Sequence, residues 1–250
     1  MKIDTTKCVL CGECVYYCPI GCIAKSNGVM VIDDEECVEC GVCMRNSNCP
    51  ADAFDFPDPP MPRYVRKAFS NPSSLHLNTK IQNGGRGTEE IKTNDVTGLV
   101  HSLDRIAIAV EMGRPGFGAR FRDVEILTKA ISPFGVDFEE SNPVTGYILD
   151  KSTGEIDPSV LNEKVLSCII EFGAPAEKLL DLLNAITTAS AKLNTVLSLG
   201  VICKIDENNS SIVERDVVAA GYNIRRTSCK TNIGLGRPLY EDRIKGGALS

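Results

Sequence analysis

Nine of the twelve cysteines fall before residue 50, and their spacing is regular. Two residues separate Cys8 from Cys11 and Cys11 from Cys14; three more precede Cys18, which stands directly before Pro19. Cys37, Cys40 and Cys43 repeat the pattern, and Cys49 precedes Pro50, with five residues rather than three before that last cysteine. Thiolates form disulfides, act as nucleophiles and bind soft metals. Three of them on one tight loop can hold three corners of an iron–sulfur cubane, and a fourth beside a chain-redirecting proline completes it. Zinc is the competing use, but structural zinc takes paired C-x2-C knuckles with four ligands per ion. A third cysteine at the same spacing, a fourth before proline and a repeat of the whole run are not knuckle geometry.

The rest of the composition narrows the setting. The first residues, Met1 to Cys8, hold no apolar h-region, so no secretory signal is expected and a disulfide scaffold is disfavoured. No apolar run approaches the roughly 20 residues of a spanning helix. A cytoplasmic chain, not a membrane-bound one, is expected. Hydrophobic residues make up 43% and charged residues 24% of the 250, the balance of a globular chain. The formal net charge of −6 argues against nucleic acid and anionic membrane as partners. Residues 1–56 carry four basic against nine acidic side chains, so nearly all the net acidity sits on the cysteine-rich segment.

Residues 1–56 resemble the bacterial-type two-cluster [4Fe-4S] ferredoxin, on the runs Cys8–Pro19 and Cys37–Pro50. The resemblance implies two [4Fe-4S] clusters with crossed ligation. One takes Cys8, Cys11, Cys14 and Cys49; the other takes Cys37, Cys40, Cys43 and Cys18. Crossed ligation staples together a segment too small for a large core. Gly12 and Gly41 let the loops turn and aim N–H groups at sulfur. The longer spacer before Cys49 is expected to alter solvent access, and so potential, at its cluster. Cys22 reads as a small buried residue beside a cluster rather than a ligand. Tyr16 and Tyr17 are expected to pack on the clusters. Val29–Ile32, after Asn27-Gly28, suits a hairpin strand.

Beyond the cysteines, four prolines in Phe56–Pro62 make a stiff linker. Residues 63–98 are polar and read as extended or looped, with a turn at Gly84–Gly87, so 57–98 forms a Pro-rich linker and extended polar segment. From 99 to 250 strands and helices alternate. Strands are expected at 105–112, 135–139, 164–172, 195–205 and 222–230. Helices are expected at 122–132, after Pro175 with Leu179, Leu182, Leu183, Ile186 and Leu193 on one face, and at 216–221. The fold class is therefore α+β: an N-terminal two-cluster ferredoxin domain followed by a βαβ-type sandwich, a split βαβ of ferredoxin-like topology with an antiparallel sheet and helices on one face. Two short echoes, Lys92-Thr-Asn with Lys230-Thr-Asn and Gly113-Arg-Pro with Gly236-Arg-Pro, hint at a shared surface.

The second part has no catalytic signature. Its polar loops gather Arg86, Lys92 and Asn94; Arg114, Gly116, Gly118, Arg120 and Arg122; and Lys230, Asn232 and Arg237. Glycines between a strand and a helix let N–H groups reach an anion, and arginines add bidentate recognition, so these residues form a candidate pocket for a small carboxylate, a nucleotide or a flavin phosphate. Ordinary turn glycines and loop-end salt bridges are the alternative. Glu89, Glu90 and Asp95 are possible acids or bases, His76 and His101 are not expected to be catalytic, and Cys229 is the cysteine to test for reactivity. Cys168 and Cys203 fall in expected strands and read as core. Gly85–Gly98 (GRGTEEIKTNDVTG) is similar to iron–sulfur proteins described as 6-hydroxynicotinate reductase-like, from anaerobes. That resemblance implies a part in ferredoxin-linked reduction of an activated ring or a similar acceptor.

Three functions fit. The first is an electron-transfer protein or subunit that relays low-potential single electrons to a redox protein or larger oxidoreductase complex in anaerobic metabolism. The second is a ferredoxin-dependent reductase holding an anionic substrate or flavin in the arginine-rich loops. The third is a small-ligand sensor with redox-sensing clusters.

Overall fold

A computed structural model describes residues 1–75 and 98–223. The cysteine-rich part runs through β1 (Lys2–Ile3), α1 (Glu13–Tyr16), β2 (Ile23–Ser26), β3 (Val29–Ile32), α2 (Val42–Asn46) and β4 (Phe54–Asp55). β2 and β3 form the hairpin across Asn27-Gly28, and β1 pairs with β4, so the first and last strands of the segment close on each other. Such short elements bury little apolar surface. The core they share is Met1, Ile23 and Met30 together with Cys14, Cys37 and Cys43. The side chains that read as ligands are thus also the core.

The next element departs from the sequence reading. Residues 63–70 are not extended: α3 (Tyr64–Ser70) is helical and almost wholly buried. Val65 and Phe69, four apart, fall on one face and enter the larger core. Phe69 meets Phe121 edge-on with ring centroids 5.4 Å apart, and Phe121 meets Tyr147 likewise at 5.4 Å. The other face carries Arg66 and Lys67, buried because each finds partners. Lys67 pairs with Asp58 at 2.7 Å and lies over the Phe56 ring.

The remainder is built from β5 (Arg105–Met112), β6 (Ala119–Arg120), α4 (Phe121–Ile131), β7 (Asp137–Phe138), β8 (Ile148–Asp150), β9 (Glu155–Ile156), β10 (Lys164–Val165), β11 (Cys168–Pro175), α5 (Leu179–Ser190) and β12 (Leu197–Cys203). Four strands form one sheet in the order β12-β5-β11-β7, every neighbouring pair antiparallel. α4 links β5 to β7 with β11 between them, and α5 links β11 to β12 with β5 between them. Ile106, Ile108, Val110 and Met112 alternate onto the face that packs Leu127, Ile131, Leu182 and Ile186 of the two helices. Ala107 points the other way, against Val100.

Several boundaries move. β11 continues through Pro175, whose neighbour Ala176 donates its N–H to the Asp104 carbonyl, and α5 starts only at Leu179 after a short 3-10 turn. Leu193 packs on the core from beyond the end of α5. The strand expected at 164–172 is two strands, because Lys164–Val165 pairs with β6 and not with the main sheet. The last helical turn is centred earlier than expected, at Val213–Val217. Tyr222 and Asn223 are not in a strand, and the rest of the strand expected at 222–230 lies outside the described residues. Among the described residues no helix is long and apolar enough to cross a membrane.

Candidate iron–sulfur centres

The two cysteine loops share one backbone design. In the first, Leu10 (φ 60°) and Gly12 (φ 82°) are left-handed; in the second, Glu39 (φ 55°) and Gly41 (φ 69°) hold the matching places. Each glycine is the N-cap of a one-turn helix, α1 or α2. The loop therefore curls around its three thiols and hands the chain to a helix that carries the third one inward. Cys14 and Cys43 are buried on those helices.

The curled loops line two small cavities. Cys8, Cys11, Cys14 and Cys49 line one; Cys37, Cys40, Cys43 and Cys18 line the other. Each wall thus takes three thiols from its own loop and a fourth from the other motif. Cys22 joins the second wall as a fifth sulfur, its Sγ 3.5 Å from that of Cys18, while its amide donates to Cys18 Sγ at 3.3 Å. Tyr16 and Tyr17 do not pack on these cavities. Tyr16, the last residue of α1, is 87% exposed, and neither tyrosine lines either wall.

The chemistry of the thiols tests whether these walls fit a cluster. Burial pushes Cys14 and Cys40 up, and pushes Cys43 up to about 12, so thiolates there need positive charge inside the cavity. The iron of a cubane supplies that charge, and cysteine binds it as thiolate. The Cys22 thiol hydrogen-bonds both Cys18 and Cys37, drawing both of them down while its own proton is held more tightly. Among the described residues no three His, Cys, Asp or Glu side chains converge on a point where one metal ion would sit. The sulfurs stand around a volume instead. The residues present fit a four-iron cage in each cavity.

The surroundings of the two cavities differ. Val9, Val15, Tyr16, Tyr17 and Cys11 of the first loop are exposed. The approach to the second loop is gripped by basic side chains, of which the sequence singles out Arg120 alone. Arg66 in α3, 4% exposed, donates to the carbonyls of Asp34 (2.9 Å), Glu35 (3.1 Å) and Cys37 (3.0 Å), and its Nε pairs with Glu163. Arg63 Nε donates to Glu39 at 2.8 Å, and the Met1 amino group reaches the other Glu39 oxygen at 2.5 Å, so a 0% exposed carboxylate faces two cations. Glu36 receives Arg120 at 2.7 Å and Lys164 on its other oxygen.

The candidate anion-binding residues take several places. Arg120 also donates to the Asn162 carbonyl at 2.7 Å and the Glu35 carbonyl at 3.3 Å. Arg122 bonds the Asn162 side chain at 2.5 Å, and Arg114 donates to Ser167 at 3.3 Å. Gly116 and Gly118 lie against the cysteine-rich segment: a Cβ on Gly116 would stand 3.1 Å from the Pro19 carbonyl, and one on Gly118 3.5 Å from Ile20. Arg86, Lys92, Asn94, Lys230, Asn232 and Arg237 lie outside the described residues, as do His76, Glu89, Glu90, Asp95, Cys229 and nearly all of the GRGTEEIKTNDVTG stretch. Cys168 is buried and pushed up to about 12 by that burial, as core residues are; Cys203 is half-buried. His101 is exposed and hydrogen-bonds the Gly98 carbonyl.

Comparison with known proteins bears on the first part of the chain. Residues 1–24 match the 4Fe-4S binding domain family. A ferredoxin of Rickettsia felis is 36% identical over 64 residues, 25% of this chain and 57% of that protein. Ferredoxin-1 of Rhodobacter capsulatus is 48% identical over 40 residues, 16% of this chain and 62% of that protein. Pyruvate synthase subunit PorD of Methanothermobacter marburgensis is 39% identical over 52 residues, 21% of this chain and 58% of that protein. The chain thus spans less than two thirds of the length of these relatives. No solved structure matches it. With two walls of thiols that fit [4Fe-4S] clusters, the N-terminal part of the chain is a bacterial-type [4Fe-4S] ferredoxin segment.

Proposed function

We propose that this chain is an iron–sulfur electron-transfer protein or subunit that passes low-potential single electrons to a redox partner in anaerobic metabolism. One observation carries the reading: each cavity is lined by three cysteines of one motif and the fourth of the other. On that basis Cys8, Cys11, Cys14 and Cys49 hold one cluster, and Cys37, Cys40, Cys43 and Cys18 hold the second. The bound clusters supply one-electron chemistry with little rearrangement. The chain positions eight thiolates, keeps Cys14, Cys37, Cys40 and Cys43 out of water, and leaves Cys11 at the surface, where a partner can approach.

Residues 1–56 read as the cluster domain, 57–98 as the connection and 99–250 as a split βαβ sandwich; the antiparallel order β12-β5-β11-β7 with two helical crossovers supports the last. The sandwich acts as a docking platform. Arg120, Lys164, Gly116 and Gly118 meet the cluster segment, which favours docking over a substrate pocket at those residues. Likeness to a pyruvate synthase subunit supports a place inside a larger oxidoreductase.

Anaerobic purification tests the reading. The protein should be brown, carry iron and sulfide near eight each per chain, and take up about two electrons in two one-electron steps. A colourless, zinc-bearing or metal-free product would sink it.

A further inference from the structure

We propose that the Ser47 hydroxyl donates a hydrogen bond to the cluster held by Cys8, Cys11, Cys14 and Cys49, and that this bond raises the cluster's reduction potential. The inference rests on the ligand reading above and extends it to a residue that is no ligand.

Ser47 belongs to the longer spacer between Cys43 and Cys49. It caps the C-terminus of α2, where a serine hydroxyl commonly bonds back to a carbonyl of the preceding turn. Here the Ser47 amide takes the Cys43 carbonyl at 3.1 Å, and the hydroxyl is left over. Ser47 is 4% exposed, its Oγ is buried without a hydrogen-bond partner, and it lines the cavity of Cys8, Cys11, Cys14 and Cys49. A buried hydroxyl without an acceptor is unfavourable, so an acceptor is expected where it points. The rest of that wall is apolar, as with Met30 and Phe54, or thiol, apart from Glu13, which is exposed. Cluster and thiolate sulfurs are therefore the acceptors within reach.

The sign follows from charge. Gaining an electron makes the cluster more negative, so a donor to its sulfurs stabilises the reduced form more than the oxidised form. Among the described residues, the wall of the second cavity carries no hydroxyl. The extra residues before Cys49 thus give one cluster a hydroxyl donor, where the other has only the weaker Cys22 thiol.

The test is anaerobic redox titration of the full chain, wild type against Ser47→Ala, with iron counted in each. The expected result is about eight irons in both proteins and a fall in one of the two potentials by about 59 mV, a tenfold shift of that one-electron equilibrium, while the other stays put. Two unmoved potentials in a variant with full iron overturn the inference. If Ser47→Ala loses iron, Ser47→Thr against Ser47→Val makes the comparison, since the two differ in the hydroxyl and hardly in size; equal potentials there overturn it too. A wild-type protein with about four irons and a single potential would instead overturn the ligand reading beneath it, and the inference with it.

Discussion

Leu10 and Glu39 occupy the same left-handed position in two loops of the same design, and almost everything around them differs. Leu10 packs beside thiols in a loop whose outer residues, Val9 and Cys11, face solvent. Glu39 is fully buried between Arg63 and the Met1 amino group, in a loop whose approach is held by Arg66, Arg120 and Lys164. A repeated motif can thus set two equivalent cages while the rest of the chain makes them unequal. One faces outward, with Cys11 and Val9 open to solvent. The other is tied into the sheet-bearing part of the molecule.

The strongest way to break this asymmetry is Arg66→Met. It leaves Glu163 as a buried charge without its cation and removes the donor from three carbonyls of the Asp34–Cys37 turn. A loss of about 3–5 kcal/mol is expected, as for other broken buried pairs. Thermal melting and iron analysis would read it: lowered stability with iron falling toward about four per chain, the Cys8 loop keeping its share. Equal iron loss from both sites would show that the two cages are not separately supported.

The paired substitutions Gly12→Ala and Gly41→Ala sharpen the comparison. Both force a Cβ onto a left-handed backbone, at a cost of about 1–2 kcal/mol. At Gly12 the new Cβ meets nothing within 4 Å, whereas at Gly41 it would stand 2.8 Å from the Phe56 ring and 2.6 Å from Arg45. Gly41→Ala should therefore cost about 1–3 kcal/mol more, seen as a lower melting temperature and faster iron loss to a chelator. Similar losses at the two positions would remove the steric difference.

A smaller effect belongs to Glu36. Lys164 and then Arg120 hold its carboxyl below the usual glutamate range. A depressed acid contributes stability that is fully present above its unfolded value of about 4.3 and is lost as pH falls through its folded value. Wild type should exceed Glu36→Gln by about 0.5 kcal/mol at neutral pH, since the side chain is 40% exposed and partly screened, and the gap should close on acidification below pH of about 4.3. A gap that widened in acid would contradict the pairing. The smallest effect is expected for Tyr16→Ser on the outward loop: a stability change within about 0.5 kcal/mol, checked by melting.

Much of the sheet-bearing part was readable in one dimension. β5, α4, α5 and β12 follow from alternation and from apolar residues spaced three and four apart, because each packs an apolar face on the shared core. α3 was not readable. It has one apolar pair, Val65 and Phe69, between prolines and a polar stretch, and its arginine and lysine look like solvated residues until their partners arrive from Asp34, Glu163 and Asp58. Gly116 and Gly118 carried an ambiguous signal. Glycine next to a helix start suits an approaching anion or an approaching backbone equally, and here the Pro19 carbonyl approaches Gly116 and the Val165 carbonyl approaches Gly118.

The amino-acid order alone determined the number, type and spacing of the thiols, since three of the four in each group sit on one loop with two residues between neighbours, while the fourth comes from the other motif. Which loop would face outward, which basic residues would grip the other and where Ser47 would aim its hydroxyl were decided only by the tertiary structure. Those depend on meetings between residues up to 128 positions apart, as with Glu36 and Lys164, and nothing in the local spacing encodes them.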